Sequence, residues 1–324
     1  MSLYSVSFLY IPLLLLIFSS ERQERFIKST LLLFYSIFVF SYINSGPDHI
    51  VYQWIYENEP LEPKFEIIYT YISYISNLLN FNYHQFLIVN KVINIIILGT
   101  AIFYLDKHKL LFFMGMYIPT SFITFELNLL RQSLALHFGL LFIIFFMKKK
   151  KLKSYIYIVF SILSHTTSLL TAFIFIKKTN KNALLLLVLI LGLSLYLNFP
   201  YIINKFLEYK KAGAINIRPS ILSLQTLILL LVPFFFFSVK KDKITIFMYF
   251  FICLSSIIPL MIRIYPIALL LLLPVINKPR AKNPKLIMVF FITFSISFTL
   301  GKTYLLLQTD RQSIKEGIYT RGYE

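Results

Sequence analysis

The sequence predicts an all-α polytopic membrane protein with about ten full transmembrane helices. Three observations predict it. Of 324 residues 58% are hydrophobic and only 14% charged, with a mean hydropathy of +0.74, which leaves too little polar surface to clothe a water-soluble globule. Apolar runs recur at roughly the 20 residues that a helix needs to cross about 30 Å of hydrocarbon. The bases lie between those runs in short clusters, "ERQERFIK", "KKKKLK", "KKTNK", "KKDK" and "KPRAKNPK", as cytoplasmic loops do.

The apolar segments begin near Leu3, Ser29, Gln85, Lys109, Leu127, Ser154, Ala183, Ser220, Ile244, Ile264 and Leu286. Little chain remains for a soluble domain, so residues 1–324 are read as a single integral membrane domain. The first segment has no basic n-region and no small-residue cleavage site, which marks a retained span rather than a cleaved signal. A net charge of +18 raises nucleic acid as a partner, but clustering of the bases between spans points to the bilayer instead. Cys253, the sole cysteine, excludes an intrachain disulfide framework.

The basic runs at 21–28 and 148–153 both belong in the cytoplasm, so the chain crosses an even number of times between them. Residues 29–43 go out, 85–105 return, 109–125 go out and 127–147 return. This leaves 44–83 outside as the first large periplasmic loop. That loop gathers five of the fourteen acidic residues, Asp48, Glu57, Glu59, Glu62 and Glu66. Its apolar end, near 65–80, is about four turns long and studded with Tyr and Ser, which suits a juxtamembrane interfacial helix better than a crossing. Segment 154–176 reads as a broken or re-entrant helix, because a hairpin there returns the later lysine runs to the cytoplasm. "SILSHTTSLL" supplies hydroxyls to satisfy the freed backbone. Residues 201–219 then form a second periplasmic loop.

A charge in hydrocarbon is expensive, so an intramembrane Arg or His is a functional candidate by default. Arg131 lies 17 residues before Lys148, which lifts it roughly 26 Å from the cytoplasmic surface. Arg263 reaches about the same height above Lys243, and His165 lies somewhat above the midplane. Each also has a plainer reading. Arg131 can snorkel to lipid phosphates, His165 can be a core histidine bonded to its hydroxyl neighbours, and Gly46-Pro47-Asp48 fits an ordinary turn. Lys205, Lys210, Lys211 and Arg218 sit in the second outer loop, where positive charge suits an anionic headgroup or diphosphate. Glu57 and Glu59 read as merely solvated.

"SGPDHIVYQWIYENEPLEPKFEIIY" resembles the Gly-x-Asp, following Tyr and later Glu-Pro-x-Phe of the EpsG-like polysaccharide polymerases, a family that includes many Wzy-type O-antigen polymerases. "LNLLRQSLALHFGLLFI" resembles that family's Arg-Gln-x-x-Ala helix, with Arg131, Gln132 and Ala135 in place. "ILSHTTSLL" is similar to its Phe-His-x-Ser element, although Ser164 precedes His165 and Thr167 replaces the serine. "RIYPIALLLLLP" resembles its late Arg, aromatic and Pro element. These blocks run in family order from about 42 to 274.

The resemblance implies a GT-C-like fold and an O-antigen polymerase of the bacterial inner membrane with its active site facing the periplasm. A growing glycan on undecaprenyl diphosphate would pass en bloc to the next lipid-linked repeat unit, extending lipopolysaccharide or a related surface polysaccharide. A polysaccharide co-polymerase that regulates chain length is the expected protein partner. A diphosphate leaving group needs preorganised cations, a task for Arg131 and Arg263. An attacking sugar hydroxyl needs a base, for which Asp48 is favoured, with His165 orienting acceptor or diphosphate. Tyr52, Glu62 and Gln132 are candidate sugar contacts. No cofactor or metal is required. A lipid-linked oligosaccharide flippase, and another membrane transferase such as an O-antigen ligase, are the alternatives.

Overall fold

The structure is a computed structural model that describes residues 10–43, 49–58, 66–122, 124–165, 167–171, 203, 207, 231–233, 235–239, 265–279, 289–301 and 304. Asp48, Glu62, Lys205, Lys210, Lys211, Arg218 and Arg263 lie outside these residues, as do most of the spans expected beyond residue 171. The chain divides into two compact units, 1–168 with 278–324 and 169–277.

In the first unit, α1 (Tyr10–Phe18) and α2 (Glu24–Ser41) precede α3 (His49–Asn58) and α4 (Ile67–Leu78). Next come α5 (Tyr83–Tyr104), α6 (Lys107–Tyr117), two π-helical turns (Ile118–Phe122 and Thr124–Asn128), α7 (Leu130–Met147) and α8 (Lys151–Ser164). A further apolar helix, α10 (Val289–Gly301), completes it. Among the described residues, α5 and α7 are long and apolar enough to cross a membrane. Twenty-two residues of α5 span about 33 Å.

Local chemistry sets these boundaries. Asn80 adopts a left-handed backbone, φ 55°, and Phe81 N–H donates to Ser76 O at 2.9 Å, the six-to-one closure that ends α4. Asn82 then opens α5 with a capping box. Its side chain accepts from Gln85 N–H at 2.9 Å, and its own N–H donates to Gln85 Oε1 at 2.9 Å, so two orphan donors are satisfied reciprocally. Lys149, φ 57°, repeats the left-handed closure after α7, with Lys150 N–H donating to Phe145 O at 2.9 Å.

That turn folds α8 back along α7. Phe145 stacks on Tyr157 at 5.3 Å, Phe138 on Phe160 at 5.4 Å, and Ser161 Oγ donates to Ala135 O at 2.7 Å. Each step back along α7 meets a step forward along α8, the register of an antiparallel hairpin. Ser154, Ile158, Ser161 and Ser164 are buried toward the bundle, while Tyr155, Ile156, Val159 and Phe160 are exposed. Small residues inside and large apolar residues outside are what a lipid-facing helix requires.

α10 packs on α6, where Gly115 has no room for a side chain because an added Cβ would lie 2.7 Å from the Phe291 ring. Tyr10 donates to Ser295 O at 3.0 Å and tethers α1 to α10.

In the second unit β1 (Phe237–Val239) pairs with β2 (Ile276–Pro279), which begins inside this unit. Helix α9 (Tyr265–Leu272) is buried throughout. Apart from this strand pair the described elements are helical, in keeping with the predicted class.

α4 lies where the sequence is read as an interfacial helix, and α3 lies within the stretch read as the first outer loop. Within 154–176, α8 ends at Ser164 and the His165 backbone is extended (φ −166°, ψ 131°). A short 3₁₀ turn follows at 167–171.

Candidate active site

The hairpin register carries His165 back to the start of α7, where Arg131 and Gln132 occupy the first turn. The Gln132 carboxamide lies 3.1 Å from His165 Nε2. Thr167 N–H donates to His165 Nδ1 at 3.2 Å, which places the ring proton of a neutral imidazole on Nε2. That nitrogen faces Glu66 Oε1 at 3.3 Å, and the other carboxylate oxygen of Glu66 is ion-paired with Arg131 Nη1. A carboxylate on α4's N-terminal flank thus bridges two of the side chains singled out on the apolar helices.

An aromatic floor holds the guanidinium. Arg131 Nε donates to Tyr52 Oη at 3.4 Å, and the guanidinium carbon lies 5.3 Å from the Tyr52 ring centroid and 5.9 Å from that of Tyr69, within cation–π range. Tyr52, Tyr56, Tyr69, Tyr83 and Phe86 form one buried cluster from α3, α4 and α5. Tyr56 stacks on Phe86 at 4.5 Å and donates to Phe81 O at 2.6 Å. The helical spacing of Tyr52 and Tyr56 therefore serves to dock α3 beneath Arg131. Tyr52, a candidate sugar contact in the sequence, is 6% exposed and lies against Arg131.

Burial also sets the electrostatics. It pushes the Glu66 carboxyl up to about 7, against the attraction and hydrogen bond of Arg131. Burial likewise holds the Tyr69 phenol well above its ordinary value. Tyr69 Oη is buried with no hydrogen-bond partner among the described residues. With the His165 proton on Nε2, the Gln132 amide meets it with its oxygen. Among the described residues no group of three or more His, Cys, Asp or Glu side chains is placed to hold a metal ion.

A sequence model of the EpsG family matches residues 3–311, nearly the whole chain. The chain belongs to the EpsG family. No curated protein and no solved structure matches it. Family membership, together with the apolar helices, identifies a membrane protein of polysaccharide biosynthesis.

Sequence reasoning missed Glu66. It directly follows the Glu-Pro-x-Phe motif at 62–65, and an acid at the mouth of an amphipathic helix was the signal that could have singled it out. A second polar constellation was missed entirely. Lys91 and Asn94 of α5, Glu126 of the second π turn, Ser133 and His137 of α7, and Tyr117 are all essentially inaccessible. Lys91 Nζ lies 3.8 Å from Glu126 Oε2 and donates to Glu126 O. Tyr117 and Ser133 both donate to Glu126 Oε1. Asn94 Nδ2 donates to Ser133 Oγ at 2.6 Å, and His137 Nδ1 meets Asn94 Oδ1 at 2.5 Å.

Proposed function

We propose that this EpsG-family chain is an O-antigen polymerase. It would transfer the growing glycan en bloc from undecaprenyl diphosphate to the next lipid-linked repeat unit at the periplasmic face of the inner membrane. The observation that carries the reading is the buried Glu66, shared between Arg131 and His165 at the junction of the α7–α8 hairpin with α4.

The reaction asks for two things at one place. As the bond between the anomeric carbon and the diphosphate oxygen breaks, the leaving diphosphate takes the electron pair, and fixed cations lower the barrier. Arg131, held flat by Tyr52 and Tyr69, presents a planar fork suited to phosphate oxygens. The acceptor hydroxyl forms the new bond to the anomeric carbon and gives up its proton. A carboxylate that titrates near 7 is matched to taking that proton at neutral pH. Glu66 is therefore the proposed base, with His165 and Gln132 orienting its free oxygen and the acceptor. This moves to Glu66 the role that the sequence favours for Asp48. Diphosphate binding competes with Glu66 for the Arg131 fork, so donor binding frees the carboxylate for the acceptor. Arg263, Lys210, Lys211 and Arg218 remain proposed diphosphate contacts from sequence, and Glu62 a proposed sugar contact.

Deleting the gene in its host tests the reading. Lipopolysaccharide carrying a single repeat unit, one band above core on a gel, is the expected result. Complete loss of O-units would instead indicate a flippase or a ligase, and an unchanged ladder would sink the proposal.

A further inference from the structure

The first turn of α7 carries Arg131 and Gln132. Its N-cap, Leu129, makes no side-chain bond to the amides of that turn, where Ser, Thr, Asp or Asn would accept one. The residues before it are wound as a π turn, Thr124–Asn128, closed by Leu129 N–H donating to Thr124 O at 3.0 Å. Such turns are rare and recur at functional sites. The buried cluster around Glu126 fastens this joint. Lys91 of α5 meets both the carbonyl and the carboxylate of Glu126. Oε1 accepts from Tyr117 Oη, at the end of α6, at 2.6 Å and from Ser133 Oγ of α7, and it lies 3.3 Å from His137 Nε2. Asn94 Nδ2 reaches Oε2 at 3.2 Å. Three helices thus converge on one carboxylate.

We propose that Glu126, with Lys91 and Ser133, is a positioning residue of the reaction: it fixes the rotation of the first turn of α7 and so sets where Arg131 and Gln132 stand against Glu66 and His165. The reaction it serves rests on the polymerase reading above. Successive helical residues turn by about 100°, so Ser133 stands about 160° round α7 from Arg131 and about 100° from Gln132. The turn that presents the candidate site on one side is gripped by Glu126 on the other. Lys91 and Glu126 are both inaccessible, so neither can trade its partner for water, and a fully bonded buried network of this kind holds its members in one arrangement. The tolerance at the site is small. Arg131 Nη1 is ion-paired with one Glu66 oxygen while His165 Nε2 lies 3.3 Å from the other, and a misplacement of about 1 Å from such geometry costs roughly a hundredfold in rate.

Ser133→Ala is the test, because it removes one hydroxyl and leaves the Lys91–Glu126 pair in place. With the purified full-length protein and lipid-linked repeat units from the host, kcat per folded molecule should fall about a hundredfold with little change in KM. Lys91→Met with Glu126→Met should show the same loss. A second readout needs no substrate. Glu66 faces Arg131 from α7, His165 from the end of α8 and Tyr69 on its neighbouring helix. Infrared difference spectra across pH follow its carboxyl band, assigned by the loss of that band in Glu66→Gln. Arg131 draws the Glu66 carboxyl down against burial, so a first turn that slips in Ser133→Ala should move the midpoint upward from about 7. Wild-type kcat and midpoint in Ser133→Ala would overturn the assignment whatever its melting temperature, because a role confined to stability moves only the last. A shifted midpoint in a chain whose unmutated form makes no polymer would keep the positioning role and reject the polymerase. Polymer made by Ser133→Ala at the unmutated rate would do the reverse.

Discussion

Glu66 combines two demands that usually oppose each other, an ion pair with a guanidinium and a proton held until near neutral pH. Burial outweighs the pull of Arg131, which is why the carboxyl sits at about 7 rather than near its ordinary 4.5. If Glu66 is the base, it must be ionised to work, so polymerisation rate should rise with pH through about 7. Glu66→Gln should lose at least about a hundredfold in rate, a typical general-base contribution, together with that pH dependence. In vitro polymer formation across pH 5.5–8.5 checks both, and a variant that retained the profile would exclude the role. Linkage gives an independent sign. A carboxyl raised on folding makes the folded chain the better proton binder between pH 4.5 and 7, so its contribution to stability declines as pH rises through that window. Glu66→Gln should flatten this part of the stability profile in thermal unfolding. Arg131→Ala, at normal protein level, should give the single-repeat phenotype, and Arg131→Lys should restore little, because a point charge cannot replace a planar fork. Arg131, Gln132 and His165 were legible in the sequence because polar groups are conspicuous in apolar helices. Glu66 was not, since it stood among five acids in one loop and only the tertiary fold brings it to Arg131 and His165.

The π-helical turns explain both a boundary the sequence placed early and a network it did not reveal. The apolar run begins near Leu127, yet α7 starts at Leu130, because Thr124–Asn128 is wound as a π turn that aims Glu126 inward at Lys91 and Ser133. Apolar periodicity cannot show such a turn, nor that Lys91, nine residues into α5, has its partner 35 positions away. Removing one member of a fully buried ion pair leaves an uncompensated charge. Glu126→Ala is therefore expected to destabilise the protein by about 3–5 kcal/mol. The double replacement Lys91→Met with Glu126→Met should cost clearly less, because an apolar pair of similar volume avoids both desolvation penalties. Thermal unfolding in detergent measures the difference, and a double variant less stable than Glu126→Ala would show that the network contributes more than charge compensation. At the start of α5 a milder effect is expected. Asn82→Ala removes half of a capping box and should cost about 1 kcal/mol.

At the scale of the whole molecule, the expected topology is decided by where the α7–α8 turn lies. The turn carries Lys148, Lys149, Lys150 and Lys151, and Lys148 Nζ lies 4.9 Å over the Tyr104 ring at the end of α5. The ends of α5 and α7 are thus together, as are the opposite ends, where Tyr83 donates to His49 O and Arg131 meets Glu66. A chain folded this way puts its lysine turn and its candidate site at opposite ends of α5 and α7, the two helices among the described residues that are long enough to cross. Positive charge favours the cytoplasm, so the site should face the other side. Because Cys253 is the sole cysteine, a Cys253→Ser background allows this to be read directly. A cysteine replacing Asn58 should react with a membrane-impermeant maleimide in intact spheroplasts. One replacing Lys149 should react only after permeabilisation. Labelling of position 149 from outside would invert the topology and overturn the proposed placement of Glu66 and Arg131 at the periplasmic face.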